Sequence, residues 1–173
     1  SVHKEVFRHL AFRDYLKRAS EVGVLSDNVL GLAQQDVERI EYSIRHERDD
    51  LFEYFGLKTL VDRYLLRHPD TRKLIERPQW MFMRVALGLS HSIDEAIQFY
   101  DIISQFHYMP STPTLFNSGT RHPQMSSCYL LTVADDSLEG IYKTITDCAH
   151  LSKWSGGLGV DWTPVRASGA LIK

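Results

Sequence analysis

The residues with chemical potential in this 173-residue chain gather in its last third. Ser126-Ser127-Cys128 follows a polar loop and opens the apolar run Cys128 to Val133, so one thiol stands at the start of a strand rather than deep within it. That is an unusual place for an inert cysteine, yet a half-buried cysteine acting as a small hydrophobe satisfies the same pattern. Cys148 shares a helical stripe with Ile141 and Ile145 and reads as core filler. Neither cysteine belongs to a CxxC, and the eight histidines form no HxxxH, so no protein-bound metal is expected.

Three further groups have both a chemical and a structural reading. Gly156-Gly157-Leu158-Gly159 lies after a helix and before a strand, the reverse of a dinucleotide fingerprint. Gly156 therefore reads as a left-handed helix cap, while the remaining glycines leave room for close backbone approach to a ligand. Asp136-Ser137 can cap a helix and Lys153 can complement its C-terminal dipole. Arg166, just beyond the last strand, is either a surface residue or an anion contact.

The elements that must position these groups follow from periodicity. Residues 5–22 carry Phe7, Leu10, Ala11, Leu16, Ala19 and Val22 at helical spacing, with Gly23 as a stop. A second helical pattern runs from 28 to 44, and the charged stretch 45–50 reads as a solvated helix end or loop. The aromatic block from Phe52 to Leu66 reads as core. Pro78 opens a helix through Leu89 that has almost no polar face and is expected to be buried all round. Ser92 to Glu95 forms a capping box for a helix reaching Phe106. From His107, prolines and small polar residues rule out a long helix. Next come a strand at 128–133 and a helix capped by Asp136 and Glu139. Its inward face is Leu138, Ile141, Tyr142, Ile145, Cys148, Ala149 and Ser152. After the glycine turn a strand spans 160–165. Strand, helix, turn and strand make a βαβ unit with a parallel crossover.

Composition bounds the alternatives. At 43% hydrophobic and 24% charged residues, the chain can bury a real core and is not disordered. A formal net charge of −2 provides no basic field for nucleic acid or an anionic membrane, so anion binding must be local. No apolar run reaches the roughly 18–20 residues of a bilayer span, and no signal segment opens the chain. A cytoplasmic location is expected, without direct nucleic-acid or membrane contact. Lacking an initial methionine and a polar tail, the chain reads as part of something longer.

Ser111-Thr112-Pro113-Thr114-Leu115-Phe116-Asn117-Ser118-Gly119-Thr120 and Pro123-Gln124-Met125-Ser126-Ser127-Cys128-Tyr129-Leu130 closely resemble the start of the catalytic barrel of ribonucleotide reductase large subunits. Asp136 to Tyr142, Ser152-Lys153, Gly156 to Gly159 and Arg166 to Gly169 continue the resemblance in order. Tyr54 to Leu60 and Glu76 to Gln79 resemble the helical domain before that barrel. The resemblance implies an α/β fold: a mainly helical N-terminal domain, 1–107, then the first strands and helix of a ten-stranded α/β barrel, 108–173, incomplete here. It implies radical reduction of ribonucleoside diphosphates to 2′-deoxyribonucleotides for DNA synthesis, with Cys128 as one thiol of a redox pair. Thr112, Ser127, Cys128 and Gly157 match substrate contacts. Asp136, Ser137, Leu138, Lys153 and Arg166 match a site for deoxynucleotide or ATP effectors. The implied partners are a small, metal-containing, radical-generating subunit and a second large subunit in a homodimer, with thioredoxin or glutaredoxin as reductant; this chain itself binds no cofactor. The radical cysteine and the second thiol of the pair are expected downstream, so these residues alone would not turn over. Alternative readings are a catalytically silent nucleotide-binding or interaction module of the same fold, and a cobalamin-dependent reductase.

Overall fold

Helix α1, Phe12–Glu21, shows how closely local chemistry sets the elements. Phe12, Tyr15, Leu16 and Ala19 are buried at i, i+3, i+4 and i+7. At its end Gly23 adopts φ 73°, and the amides of Gly23 and Val24 bond the carbonyls of Ser20 and Ala19 in a Schellman closure. The computed structural model describes residues 10–154 and 156–171, so Phe7 and the start of the expected 5–22 helix lie outside the described residues.

The chain divides into two compact units, through Met125 and from Ser126 onward. In the first, the single helix expected over 28–44 is two, α2 (Asp27–Gln34) and α3 (Val37–Ser43). The break is chemical: Asp36 leaves helical geometry and its carboxylate accepts the Arg39 amide at 3.1 Å, starting a new helix. The charged run after it, read as a solvated helix end or loop, is exposed at His46, Glu47 and Asp50 but is not a loop. It forms a 3₁₀ helix, His46–Leu51, in which Asp49 is buried and accepts from Gln79 Nε2 at 2.9 Å. Arg48 also donates to Asp101 at 2.8 Å and Ser104 at 2.6 Å. The aromatic block is only partly core. Helix α4 (Tyr54–Thr59) leaves Tyr54 and Phe55 about four-fifths exposed, whereas Leu60 and Leu65 are buried at either end of a π-helical turn, Leu60–Tyr64.

Helix α5, Pro78–Leu89, is the centre of this unit and is buried from Pro78 through Leu87, as its sequence requires. It packs against α6, Ile93–Ser104, which Ser92 caps through the Glu95 amide at 3.2 Å. Within α5 stands one charge, Arg84, with no exposure. Its guanidinium donates to both carboxylate oxygens of buried Glu76, at 2.7 and 3.1 Å. Tyr15 donates to the same carboxylate at 2.5 Å. Burial would lower the Arg84 pKa, but the charge and hydrogen bonds of Glu76 outweigh it and hold the guanidinium protonated. Burial, reinforced by Glu76, pushes the Tyr15 phenol well above its ordinary value. The other guanidinium donors reach the carbonyls of Ser118 at 2.6 Å and Leu115 at 3.2 Å. These carbonyls end α7, Thr112–Asn117, a short helix inside the stretch expected to be loop. Gly88 and Gly119 permit the crossing, because a Cβ on Gly88 would lie 2.3 Å from the Gly119 nitrogen.

The second unit is the expected βαβ. Strands β1 (Cys128–Thr132) and β2 (Gly157–Asp161) pair in parallel, from Cys128 opposite Gly157 to Thr132 opposite Asp161, joined by α8, Leu138–Lys153. The second strand thus begins at the glycines rather than at 160. Ser137, not Asp136, caps α8, accepting the Gly140 amide at 2.9 Å. The expected inward stripe is also corrected. Gly140 and Thr144 are the buried residues, while Leu138, Tyr142 and Ile145 are 70%, 64% and 47% exposed. Two strands are too narrow a surface to cover the whole apolar face. The helix closes at Trp154, before the glycine read as its cap. Gly156 instead makes room for Tyr129, whose ring would lie 2.8 Å from an added Cβ.

Removing one member of a buried, hydrogen-bonded ion pair leaves an uncompensated charge and typically destabilises by about 3–5 kcal/mol. Arg84→Met and Glu76→Gln should each lower stability to chemical denaturation on that scale, and the double variant should lose less than their sum. A loss below about 1 kcal/mol in both single variants would show that the pair does not hold this unit together.

Candidate functional site

The thiol of Cys128 is free and exposed at the first residue of β1. Across the ladder, the Gly157 amide donates to the Ser127 carbonyl at 2.7 Å, which locks the start of both strands. A Cβ on Gly157 would approach the Cys128 sulfur to 3.5 Å and the Ser127 carbonyl oxygen to 3.3 Å. Glycine at this register position therefore keeps the flank of the sulfur clear. An open thiol beside exposed main chain can approach both a small-molecule carbon and a second thiol, the requirement of disulfide chemistry. Cys148, read as core, is half-buried on α8 and also free.

At the N-terminal end of α8 the structure brings together Asp136, Ser137 and Arg166. Arg166 Nε pairs with the Asp136 carboxylate, Nη2 reaches its carbonyl at 3.3 Å, and Nη1 donates to the Leu171 carbonyl at 2.7 Å. Ser137 is engaged as the helix cap and also bonds Asp135. Leu138 presents an exposed apolar side chain beside them. A carboxylate, a guanidinium and an apolar surface together suit a ribose hydroxyl, a phosphate and a base. Lys153 is not in this group. It stands at the opposite end of α8, about 22 Å away along the helix axis at 1.5 Å per residue, with its ammonium 5.4 Å from the Trp154 ring centroid.

Thr112 belongs to the first unit, in the first turn of α7, where Ser111 leads into the helix. Its hydroxyl lies 3.1 Å from that of Tyr64, and the Tyr64 ring stacks on Phe116 with centroids 4.7 Å apart. The loop after α7 is pinned by Asn117 Nδ2 donating to the Gln124 carbonyl at 2.6 Å and by Thr114 Oγ1 donating to that of Met125 at 3.3 Å. Two residues here escaped the sequence reading. Arg84 had a visible signal, a lone charge in an otherwise buried helix that must find a partner. Tyr64 had none, because its partner is 48 residues away.

Comparison with known proteins places these features in a lineage. Residues 50–123 match the family described as ribonucleotide reductase, all-alpha domain, and residues 126–173 match ribonucleotide reductase, barrel domain. The division between the matches coincides with that between the compact units. A ribonucleoside-diphosphate reductase subunit alpha from Chlamydia muridarum is 53% identical over 142 residues, 80% of this chain and 13% of the relative. The large subunit from Arabidopsis thaliana is 43% identical over 171 residues, covering 98% and 20% respectively. The large chain from Schizosaccharomyces pombe is 43% identical over 150 residues, covering 86% and 18%. The chain belongs to the ribonucleotide reductase large-subunit family, and its helices followed by a parallel strand pair are the helical domain and opening of that family's barrel. It spans about a fifth or less of the length of these relatives.

The two thiols differ in access, so iodoacetamide should modify Cys128 before Cys148 in the folded chain, as read by peptide mass spectrometry. Equal rates, or Cys148 reacting first, would contradict the open setting of Cys128.

Proposed function

We propose that this chain forms part of a ribonucleoside-diphosphate reductase large subunit, reducing ribonucleoside diphosphates to 2′-deoxyribonucleotides for DNA synthesis. The observation that carries the reading is the open Cys128 thiol against Gly157, in a chain related along its length to such subunits. The radical that initiates the chemistry comes from a separate metal-containing small subunit. The role of Cys128 is to supply, with a second thiol from the rest of the subunit, two electrons and two protons. The 2′-hydroxyl departs as water, hydrogen takes its place, and the two thiols become a disulfide. Thioredoxin or glutaredoxin restores the dithiol. Thr112 and Ser127 provide small hydroxyl groups for the substrate, and Gly157 provides backbone unobstructed by a side chain. The protein works in the cytoplasm.

Asp136, Ser137, Leu138 and Arg166 form one side of an effector site for a deoxynucleotide or ATP, and Lys153 enters that site from a second copy of the chain. Two features support this arrangement. Lys153 lies a helix length from Asp136, and α8 exposes Leu138, Tyr142 and Ile145, an apolar surface suited to pairing. A two-fold interface between antiparallel α8 helices superposes opposite helix ends, because residue i of one copy faces residue j of the other.

In the full-length subunit, Cys128→Ser should preserve folding and effector binding while abolishing multiple turnovers with a thiol reductant. Unchanged steady-state turnover would overturn the assigned role.

The shared effector site has its own test. Asp136→Ala and Lys153→Ala should each weaken deoxynucleotide binding in equilibrium titrations of the full-length protein. Mixing the two variants should restore one high-affinity site per mixed dimer. A mixture that binds no better than its components would place both residues in the same copy's site or outside it.

A further inference from the structure

We propose that Tyr64 is a positioning residue for substrate binding, acting through Thr112; the proposal rests on the reading of Thr112 as a substrate contact. The phenol and threonine oxygens are 3.1 Å apart. A threonine hydroxyl has one proton and rotates freely unless another group fixes it. When that proton points to an oxygen of the nucleotide, the Thr112 oxygen still accepts, and Tyr64 is the donor in place. The result is a directed chain from Tyr64 O–H to Thr112 O–H to the substrate oxygen, in which each bond polarises the next.

The surroundings of Tyr64 are built to hold that phenol still. Its ring stacks on Phe116, a residue of the same short helix that carries Thr112. The far end of that helix is fixed by Arg84 through the Leu115 and Ser118 carbonyls. Tyr64 itself closes the π-helical turn, where the Leu65 amide bonds the Leu60 carbonyl at 3.1 Å. Both of those leucines are buried, so the wide turn is anchored on each side and sets the direction of the tyrosine. Single π-turns within helices are frequent at functional sites.

The test uses the full-length subunit with its small subunit and compares the unaltered protein, Tyr64→Phe, Thr112→Val and the double variant. Phe keeps the ring stacked on Phe116 and removes only the donor. Tyr64→Phe should raise KM for the ribonucleoside diphosphate roughly two- to tenfold, the range of one hydrogen bond, with kcat, Tm and effector affinity unchanged. On the Thr112→Val background it should have no further effect, and on Thr112→Ser, which retains the hydroxyl, its effect should return. A Tyr64→Phe protein with unaltered KM, beside a Thr112→Val protein whose KM rises, would overturn the positioning role. So would an equal Tyr64→Phe effect with and without the threonine hydroxyl. If Thr112→Val itself leaves KM unchanged, the failure lies with the substrate assignment of Thr112.

Discussion

A single buried ion pair, Glu76 with Arg84, organises the helical unit. A guanidinium in the middle of an apolar helix is tolerable only with every donor directed at an acceptor, and here the acceptors lie on separate segments of chain. The carboxylate of Glu76 also takes the Tyr15 hydroxyl and the Leu66 amide, tying in α1 and the segment after the π-turn. The opposite side of the guanidinium takes the carbonyls that end α7. Groups that would otherwise be orphaned in the core therefore satisfy one another, and the position of Thr112 becomes a consequence of core electrostatics rather than of loop composition.

The βαβ unit uses a different device, the omission of side chains. Gly157 leaves the Cys128 sulfur accessible, Gly156 admits the Tyr129 ring, and Gly140 lets α8 start tightly beside Asp135. One additional carbon would clash at Gly156 and Gly140, and at Gly157 it would press on the Ser127 carbonyl at 3.3 Å and come into contact with the sulfur at 3.5 Å. The same unit leaves much of the apolar side of α8 exposed, because two strands cannot cover a helix of sixteen residues. Precision around the thiol and an unpaired helix face thus arise from one small scaffold.

Much of this was legible residue by residue. The buried α5, the capped α6, the parallel βαβ and the Gly23 closure all follow from periodicity, capping chemistry and proline placement, which act over a few residues. The misreadings share a cause. Asp36 was a capping residue in what looked like one continuous helix, and two of the charges after it, Asp49 and Arg48, were satisfied by residues of α5 and α6. Tyr54 and Phe55 looked like core by type but faced solvent, since hydrophobicity does not by itself say which surface will be covered. At the candidate site, the strand-start setting of Cys128 was visible in the sequence. The separation of Lys153 from Asp136 was implicit in their reading as opposite ends of one helix, and the length of α8, Leu138–Lys153, sets it at about 22 Å.

By itself, then, the sequence determined most of the helices, the parallel strand–helix–strand unit and the family to which its ordered motifs belong, because these depend on neighbours within a turn or two and on matching residue types. Only the tertiary structure decided which polar groups satisfy one another across long separations: Arg84 with the end of α7, Asp49 with Gln79, Tyr64 with Thr112. The first two pairings are selected by the need to leave no buried donor or acceptor unmatched, the third joins exposed hydroxyls, and all three are set by three-dimensional packing that no local window contains.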